Sequence, residues 1–152
     1  MKNLNGIEYL VGDKNVSKRS VLPYDKNICD FLSDLSDELN STSESKKYPD
    51  IKTLAFWCRR QNINNLKKKF LSNETRVGLG LIFHITPSNI PTNFAYSLIF
   101  GLITGNSNII KVPTQNFLQV EIICKSINKL LKKKHKSIYK MISIVRYSNN
   151  DN

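Results

Sequence analysis

A run of 34 residues without a single Asp, Glu, Lys or Arg, from Val77 to Ile110, constrains the fold of this 152-residue chain more than any other feature. Pro87 and Pro91 interrupt the run, so the apolar pieces on either side are far shorter than the roughly 20 residues that a membrane-spanning helix needs. The run is therefore predicted to be buried core of a globular protein, with no membrane span.

The sequence after residue 76 alternates between strand-like and helix-like patterns. Its first segment, 77–85, is apolar on both faces and precedes a proline, which is typical of a central strand in a parallel sheet. Further strands are predicted at 107–112 and 138–147, and helices at 92–104 and 115–134. This strand, helix, strand, helix, strand order is half of a dinucleotide-binding sheet, in which ligands bind at the carboxyl ends of the strands.

The first part of the chain has a helical pattern instead. Apolar residues recur at helical spacing over 26–39, and a second helix is predicted from Ile51, with Asp50 as its N-cap. We therefore predict an α/β fold with two regions: a mostly helical segment over 1–75 and the first half of a nucleotide-binding α/β domain over 76–152.

Charge and cysteine content narrow the classes of function. Residues 1–50 carry 7 basic and 9 acidic residues, whereas residues 51–152 carry 16 and 3, so the net charge of +11 comes from residues 51–152. A basic surface attracts phosphates, but no aromatic residues are interleaved with the lysines, which disfavours a nucleic-acid-binding module. The three cysteines are odd in number and form no CxxC pair, which argues against a disulfide framework and a metal site. Without a signal peptide, a cytoplasmic location is expected.

The segment HITPSNIPTNFAYSLIFGLITGNSNIIKVPT, residues 84–114, resembles the LuxC-type acyl-CoA reductase family, a branch of the aldehyde dehydrogenase superfamily. The shared pattern is Pro-x-Asn-x-Pro, a helix, Gly-Asn, a strand, then Lys and a turn. The resemblance extends over 76–147 and is weak before Arg76. It implies that the half sheet is of the aldehyde dehydrogenase type.

The resemblance also implies a reaction. Members of this family reduce long-chain acyl-CoA, or an acyl-protein thioester, to a fatty aldehyde with NADPH, through a cysteine thioacyl intermediate. By resemblance Asn89 is the donor that stabilises the oxyanion, although an Asn at this place could instead cap the helix that begins near Thr92. Lys111, with Pro113 and Thr114, would bind the adenosine ribose of the cofactor, and the neutral Thr114 leaves room for a 2′-phosphate.

The chain departs from the family pattern in its thiols. The family's nucleophilic cysteine belongs to a later part of the sequence, and none of Cys29, Cys58 and Cys124 fits its position. We therefore expect an N-terminal portion of a larger enzyme, inactive alone, or a non-catalytic subunit that pairs with a separately encoded catalytic half. An acyl-protein synthetase is a possible further partner.

Two further residue types, histidine and glycine, have predicted structural roles. We predict His84 as a hydrogen-bonded core histidine and His135 as a surface residue. Gly101 and Gly105 are expected at a close-packing position and a helix C-terminus, respectively.

Overall fold

The computed structural model of the chain describes residues 6–70 and 75–148. Within these ranges, four strands and five α-helices follow one another along the chain: β1 (Glu8–Val11), α1 (Lys26–Ser41), α2 (Pro49–Trp57), α3 (Arg60–Phe70), β2 (Leu81–Ile85), α4 (Asn93–Ile103), β3 (Ser107–Lys111), α5 (Leu118–Lys133) and β4 (Ile142–Arg146). Short 3-10 turns at Ser45–Lys47 and Lys136–Met141 precede α2 and β4. None of the helices in these ranges is long and apolar enough to cross a bilayer.

One four-stranded sheet, in the order β1-β4-β3-β2, organises the fold. β2 pairs with β3 in parallel, and β3 pairs in parallel with β4. The crossovers through α4 and α5 connect neighbouring strands, and right-handed crossovers in one direction place both helices on the same face of the sheet. The predicted α/β class and its β-α-β-α-β unit are therefore confirmed.

The strand β1 was not predicted from the sequence. It pairs antiparallel with β4, with Glu8 opposite Arg146, and the side chains of these two residues approach to 3.4 Å. A four-residue strand carries too little periodicity to be recognised locally, because its partner lies at the other end of the chain. β1 covers the outer edge of β4.

The predicted central position of the first parallel strand is wrong, since β2 is an edge strand. Its extended segment is also shorter than predicted, because Gly80 adopts a φ of +110° immediately before Leu81. Leu81, Phe83 and Ile85 are exposed on one face. An apolar pattern on both faces indicates that a strand is suited to apolar neighbours. The pattern does not determine whether the fold places such neighbours there.

The helical region agrees with the sequence in part. α1 is present as predicted, and the Asp25 carboxylate caps it by accepting hydrogen bonds from the backbone amides of the first turn. Asp50 is not the N-cap of the next helix: α2 starts at Pro49, and Asp50 lies in its first turn. The single helix predicted from Ile51 is two helices, with a break after Trp57.

Both regions contribute to one hydrophobic core. α1 lies against α2, α4 and α5, and its fully buried Phe31 and Leu32 are part of the same cluster as Ile110 and Ile144 of the sheet. The predicted domain boundary at residue 75 stays a prediction, although residues from both sides of it pack in the same core.

Candidate functional site

The candidate site lies along the edge of the sheet at which the parallel strands end. Ile85, the last residue of β2, pairs with Lys111, the last residue of β3, so the loops that follow these strands start side by side. Asn89 is in the first loop, and Pro113 and Thr114 are in the second. The structure thus brings all four predicted site residues to one edge, which is where parallel α/β sheets bind ligands.

Two helix N-termini add positive potential at this edge. α4 begins at Asn93 and α5 at Leu118, directly after the two loops. The unpaired amides of a first helical turn carry a partial positive charge and favour anions nearby. The edge is therefore suited to a ligand with negative charge.

Asn89 is exposed in the loop after β2. The N-cap residue of α4 is Thr92, and no side-chain capping bond is formed there. Instead, the Asn93 amide donates to the Ile90 carbonyl at 3.2 Å. The described part of the chain therefore shows no hydrogen bond that would make Asn89 the cap of α4. The role of Asn89 as an oxyanion donor stays a prediction.

Lys111 is half-buried, and its Nζ lies 4.5 Å from the centroid of the Tyr147 ring, a cation–π contact. Its carbonyl accepts a hydrogen bond from the Thr86 hydroxyl at 2.9 Å, which ties the loop that carries Asn89 to the end of β3. Thr114 is exposed, and Pro113 is buried. The carbonyl of Tyr147 accepts a 3.5 Å hydrogen bond from the Thr114 hydroxyl.

His84 is hydrogen-bonded, as predicted. Its Nε2 lies 2.9 Å from Oδ1 of the fully buried Asn108 on the neighbouring strand. Because Nδ2 of Asn108 donates to the Asn106 carbonyl at 2.8 Å, the amide presents its oxygen to His84, so Nε2 carries the proton. This pair joins β2 to β3 just before the loop with Asn89.

His135 is not a surface residue, so that prediction is wrong. Only 6% of it is exposed, its Nε2 lies 2.6 Å from Oδ2 of Asp34, and its ring makes an edge contact with Phe31. The surrounding lysines suggested solvent, but the chain turns at the end of α5 and packs this ring against α1.

The three cysteines are free and buried. Burial raises the pKa of Cys58 and of Cys124 to about 12, and burial also raises the pKa of Cys29. A thiol must ionise to act as a nucleophile, and these thiols stay protonated at neutral pH. This agrees with the sequence-based conclusion that none of them is the family's nucleophile.

Sequence reasoning missed Thr86, Asn108 and Tyr147, which support the candidate site residues. One signal was available: Asn108 is a polar residue in an otherwise apolar strand, and such a residue needs a buried partner. Thr86 and Tyr147 carry no comparable signal, because their contacts depend on the register between strands.

Comparison with known proteins gives one match, to a family model. No curated protein and no solved structure matches the chain. The model of the acyl-CoA reductase family LuxC matches residues 23–152, which is most of the chain and includes the whole parallel part of the sheet. The chain therefore belongs to the LuxC acyl-CoA reductase family.

Proposed function

We propose that this chain provides the first half of the nucleotide-binding domain, of aldehyde dehydrogenase type, in an enzyme that reduces long-chain acyl-CoA to fatty aldehyde with NADPH. The observation that carries the proposal is the common edge of Asn89 and Lys111, which follow or end adjacent parallel strands. The reactive cysteine comes from the remainder of the enzyme, because all three thiols in this chain are buried.

Asn89 acts on the carbonyl oxygen of the thioester. When the thiolate attacks the carbonyl carbon, the oxygen gains negative charge, and when coenzyme A leaves, the carbonyl forms again. An amide N–H donor fixed beside this oxygen stabilises the charged state, typically by about 10²–10³ in rate. The exposed position of Asn89 and the hydrogen bond from Thr86 to Lys111 support this role, since one leaves the amide accessible and the other restrains its loop.

Lys111, Pro113 and Thr114 would hold the adenosine end of NADPH, which supplies the hydride. The residues fit this group: a lysine ends β3, and an exposed, neutral Thr114 follows it, so no carboxylate from position 114 repels a 2′-phosphate. The aromatic ring of Tyr147 positions the Lys111 ammonium group at the same edge. The buried Pro113 restricts the backbone between Lys111 and Thr114.

The test joins this chain to the C-terminal half of a LuxC-family reductase and measures reduction of a long-chain acyl-CoA from NADPH absorbance. Asn89→Ala is expected to lower kcat about 10²-fold or more, because the oxyanion loses its donor. Asn64→Ala, at an exposed position of α3, is the matched control and leaves kcat unchanged. An Asn89→Ala enzyme with the rate of the parent would disprove the oxyanion role.

A further inference from the structure

The edge at which the parallel strands begin, which we call the amino edge, lies opposite the candidate site. α5 connects β3 to β4 and returns along the sheet, so it ends at the amino edge. The segment 12–20 crosses the same edge. Its Ser17 amide donates to the Lys140 carbonyl at 2.7 Å, just before β4. The hydroxyl of Ser107, the first residue of β3, donates to the Arg19 carbonyl at 3.4 Å. Two basic stretches that are distant in the sequence therefore lie together.

Seven exposed cations occur in these two stretches, and we define them as the basic rim: Lys14, Lys18, Arg19, Lys132, Lys133, Lys136 and Lys140. None of the seven makes an ion pair with the residues that the structure describes. Segments 12–20 and 132–141 contain one acidic residue, Asp13. Lysines in the last turn of α5 also suit the negative end of that helix, but five members of the rim lie outside α5. The amino edge is therefore suited to an anionic surface.

An apolar hollow of about 640 Å³ adjoins the basic rim. Leu22, three residues after Arg19, lines the hollow and is 60% exposed. The neighbouring Val21 amide donates to the Gly105 carbonyl at 2.9 Å, just before β3, so this part of the hollow also lies at the amino edge. Helices α3 and α4 supply further apolar walls, namely Leu66, Phe70, Phe100 and Ile103. The amino edge thus combines unpaired cations with an exposed apolar region.

We propose that the amino edge binds the surface of an anionic phospholipid bilayer. The basic rim contacts the lipid phosphates, and Leu22 enters the apolar region beneath them, with the hollow open to an acyl chain. Clusters of about four to eight Lys or Arg residues bind anionic lipid surfaces, and buried apolar area strengthens such binding. The inference does not depend on the proposed function, because Asn89 and Lys111 lie at the opposite edge of the sheet.

The apolar component favours a bilayer over a nucleic acid. A nucleic acid would attract the same cations, but binding of single strands also uses exposed rings on which bases stack. The rings in the two basic stretches are those of His135, which is buried, and Tyr139, which packs against the core. Leu22 and the hollow contribute nothing to binding a phosphate backbone, whereas both suit acyl chains.

Vesicle flotation with the full chain tests the charge of the rim. The chain is expected to bind vesicles of equal parts phosphatidylglycerol and phosphatidylcholine at least about tenfold more tightly than vesicles of phosphatidylcholine alone. Added salt should weaken this binding, because it screens exposed charges. The double variant Lys136→Glu with Lys140→Glu should weaken binding to the anionic vesicles about tenfold or more.

The matched control is the double variant Lys46→Glu with Lys47→Glu, which should keep the affinity of the parent. Lys46 and Lys47 are exposed, and both double variants replace two positive charges with two negative ones, so each lowers the net charge from +11 to +7. Lys47 lies near Leu118 at the start of α5, away from the amino edge.

A second pair of variants tests the apolar contact without a change of charge. Leu22→Ser should weaken binding to the anionic vesicles about threefold or more, since less apolar area enters the bilayer. Leu118→Ser is the control and should leave the affinity unchanged, because Leu118 is 59% exposed, close to the 60% of Leu22, and lies at the start of α5. Circular dichroism spectra that match the parent confirm that the variants are folded.

Three outcomes would overturn the proposal. The first is equal binding of the parent to the anionic and the neutral vesicles, and the second is equal affinity of the two lysine double variants. The third is a chain that binds double-stranded DNA more tightly than anionic vesicles and whose vesicle binding is insensitive to Leu22→Ser, which would identify a nucleic acid as the ligand of the basic rim.

Discussion

At the scale of single residues, the site depends on buried polar groups with defined partners. Asn108 is fully buried, and its amide links His84 on β2 to the Asn106 carbonyl at the start of β3. Gly101 on α4 leaves the space that this amide occupies, since a Cβ there would lie 1.9 Å from Oδ1 of Asn108. The predicted close-packing role of Gly101 is confirmed, and so is the C-terminal role of Gly105, which has a φ of +87° just after α4.

Gly101→Ala is expected to lower the free energy of unfolding by about 1–3 kcal/mol, measured by urea denaturation. The added methyl group displaces the Asn108 amide, and this cost exceeds the ~1 kcal/mol that Ala gains over Gly in a helix. Ser97→Ala, half-buried in the same helix, is the control and should change stability by less than about 0.5 kcal/mol. A Gly101→Ala protein as stable as the parent would show that the amide has room to move.

A second prediction at this scale concerns Thr114 and the choice of cofactor. In the enzyme joined to a family C-terminal half, Thr114→Glu should lower kcat/KM for NADPH about tenfold more than for NADH, because a carboxylate would face the 2′-phosphate. The control is Thr114→Gln, whose side chain is similar in size to that of Glu but neutral, and it should keep the NADPH preference. Equal losses with both cofactors would mean that residue 114 is not near the ribose.

At the scale of elements, α1 and the end of α5 are joined by ionic contacts. Oδ2 of Asp34 lies 2.6 Å from Nε2 of His135 and 2.7 Å from Nζ of Lys134. Partial burial of the Asp34 carboxyl works to raise its pKa, but the hydrogen bonds from Lys134 and His135 outweigh it, so its pKa lies below the ordinary value of 3.8. Half-buried Glu38 and exposed Lys129 form a further salt bridge between these helices at 2.6 Å.

A lowered pKa makes the contribution of Asp34 dependent on pH. The carboxylate stabilises the fold fully above pH 3.8, and this stabilisation disappears as the pH falls below 3.8 through the lower pKa of the folded state. Asp34→Asn is expected to lower the free energy of unfolding at pH 7 by about 1–3 kcal/mol, because buried His135 loses a charged acceptor. The same variant should lose less stability than the parent between pH 5 and pH 2.

Urea denaturation at several pH values measures both effects. Asp37→Asn is the control, since Asp37 is an exposed carboxylate on the same helix and makes no ion pair with the described residues. If Asp34→Asn and Asp37→Asn have the same pH profile, the contact between α1 and α5 contributes nothing to acid sensitivity.

At the scale of the whole molecule, the two faces of the edge strand β2 differ in how they are packed. Ile82 and His84 of β2 line a groove beside α4, whereas Leu81, Phe83 and Ile85 are exposed. The candidate oxyanion and cofactor residues Asn89 and Lys111 lie at one edge of the sheet, whereas the three cysteines are buried.

The 152-residue chain alone is therefore expected to reduce no acyl-CoA. The covalent step needs a thiolate within reach of the thioester carbonyl, and burial holds the pKa of Cys58 and Cys124 near 12. The assay adds NADPH and a long-chain acyl-CoA to the purified chain and follows the absorbance of the reduced nicotinamide. If the chain turns over substrate and this turnover is abolished by Cys29→Ala, Cys58→Ala or Cys124→Ala, the thiol concerned is a nucleophile and the prediction is wrong.

The sequence alone determined the local elements and where the candidate site lies. Apolar runs of strand length and helical spacing predicted β2, α4, β3, α5 and β4 in order, because these patterns depend on neighbouring residues. The shared edge of Asn89 and Lys111 followed from the same reasoning, since parallel strands have their carboxyl ends on one side. Family resemblance supplied the roles of these residues, which no pattern of spacing contains.

Tertiary structure decided which elements meet. β1 joins the sheet through a partner at the opposite end of the chain, His135 is buried by a helix about a hundred residues earlier, and β2 stands at an edge although its sequence suits a central strand. Each outcome depends on contacts between distant segments. The free energy of these contacts cannot be inferred from the local apolar pattern of either segment. β2 thus exposes Leu81, Phe83 and Ile85, although its apolar pattern suits a strand that is covered on both faces.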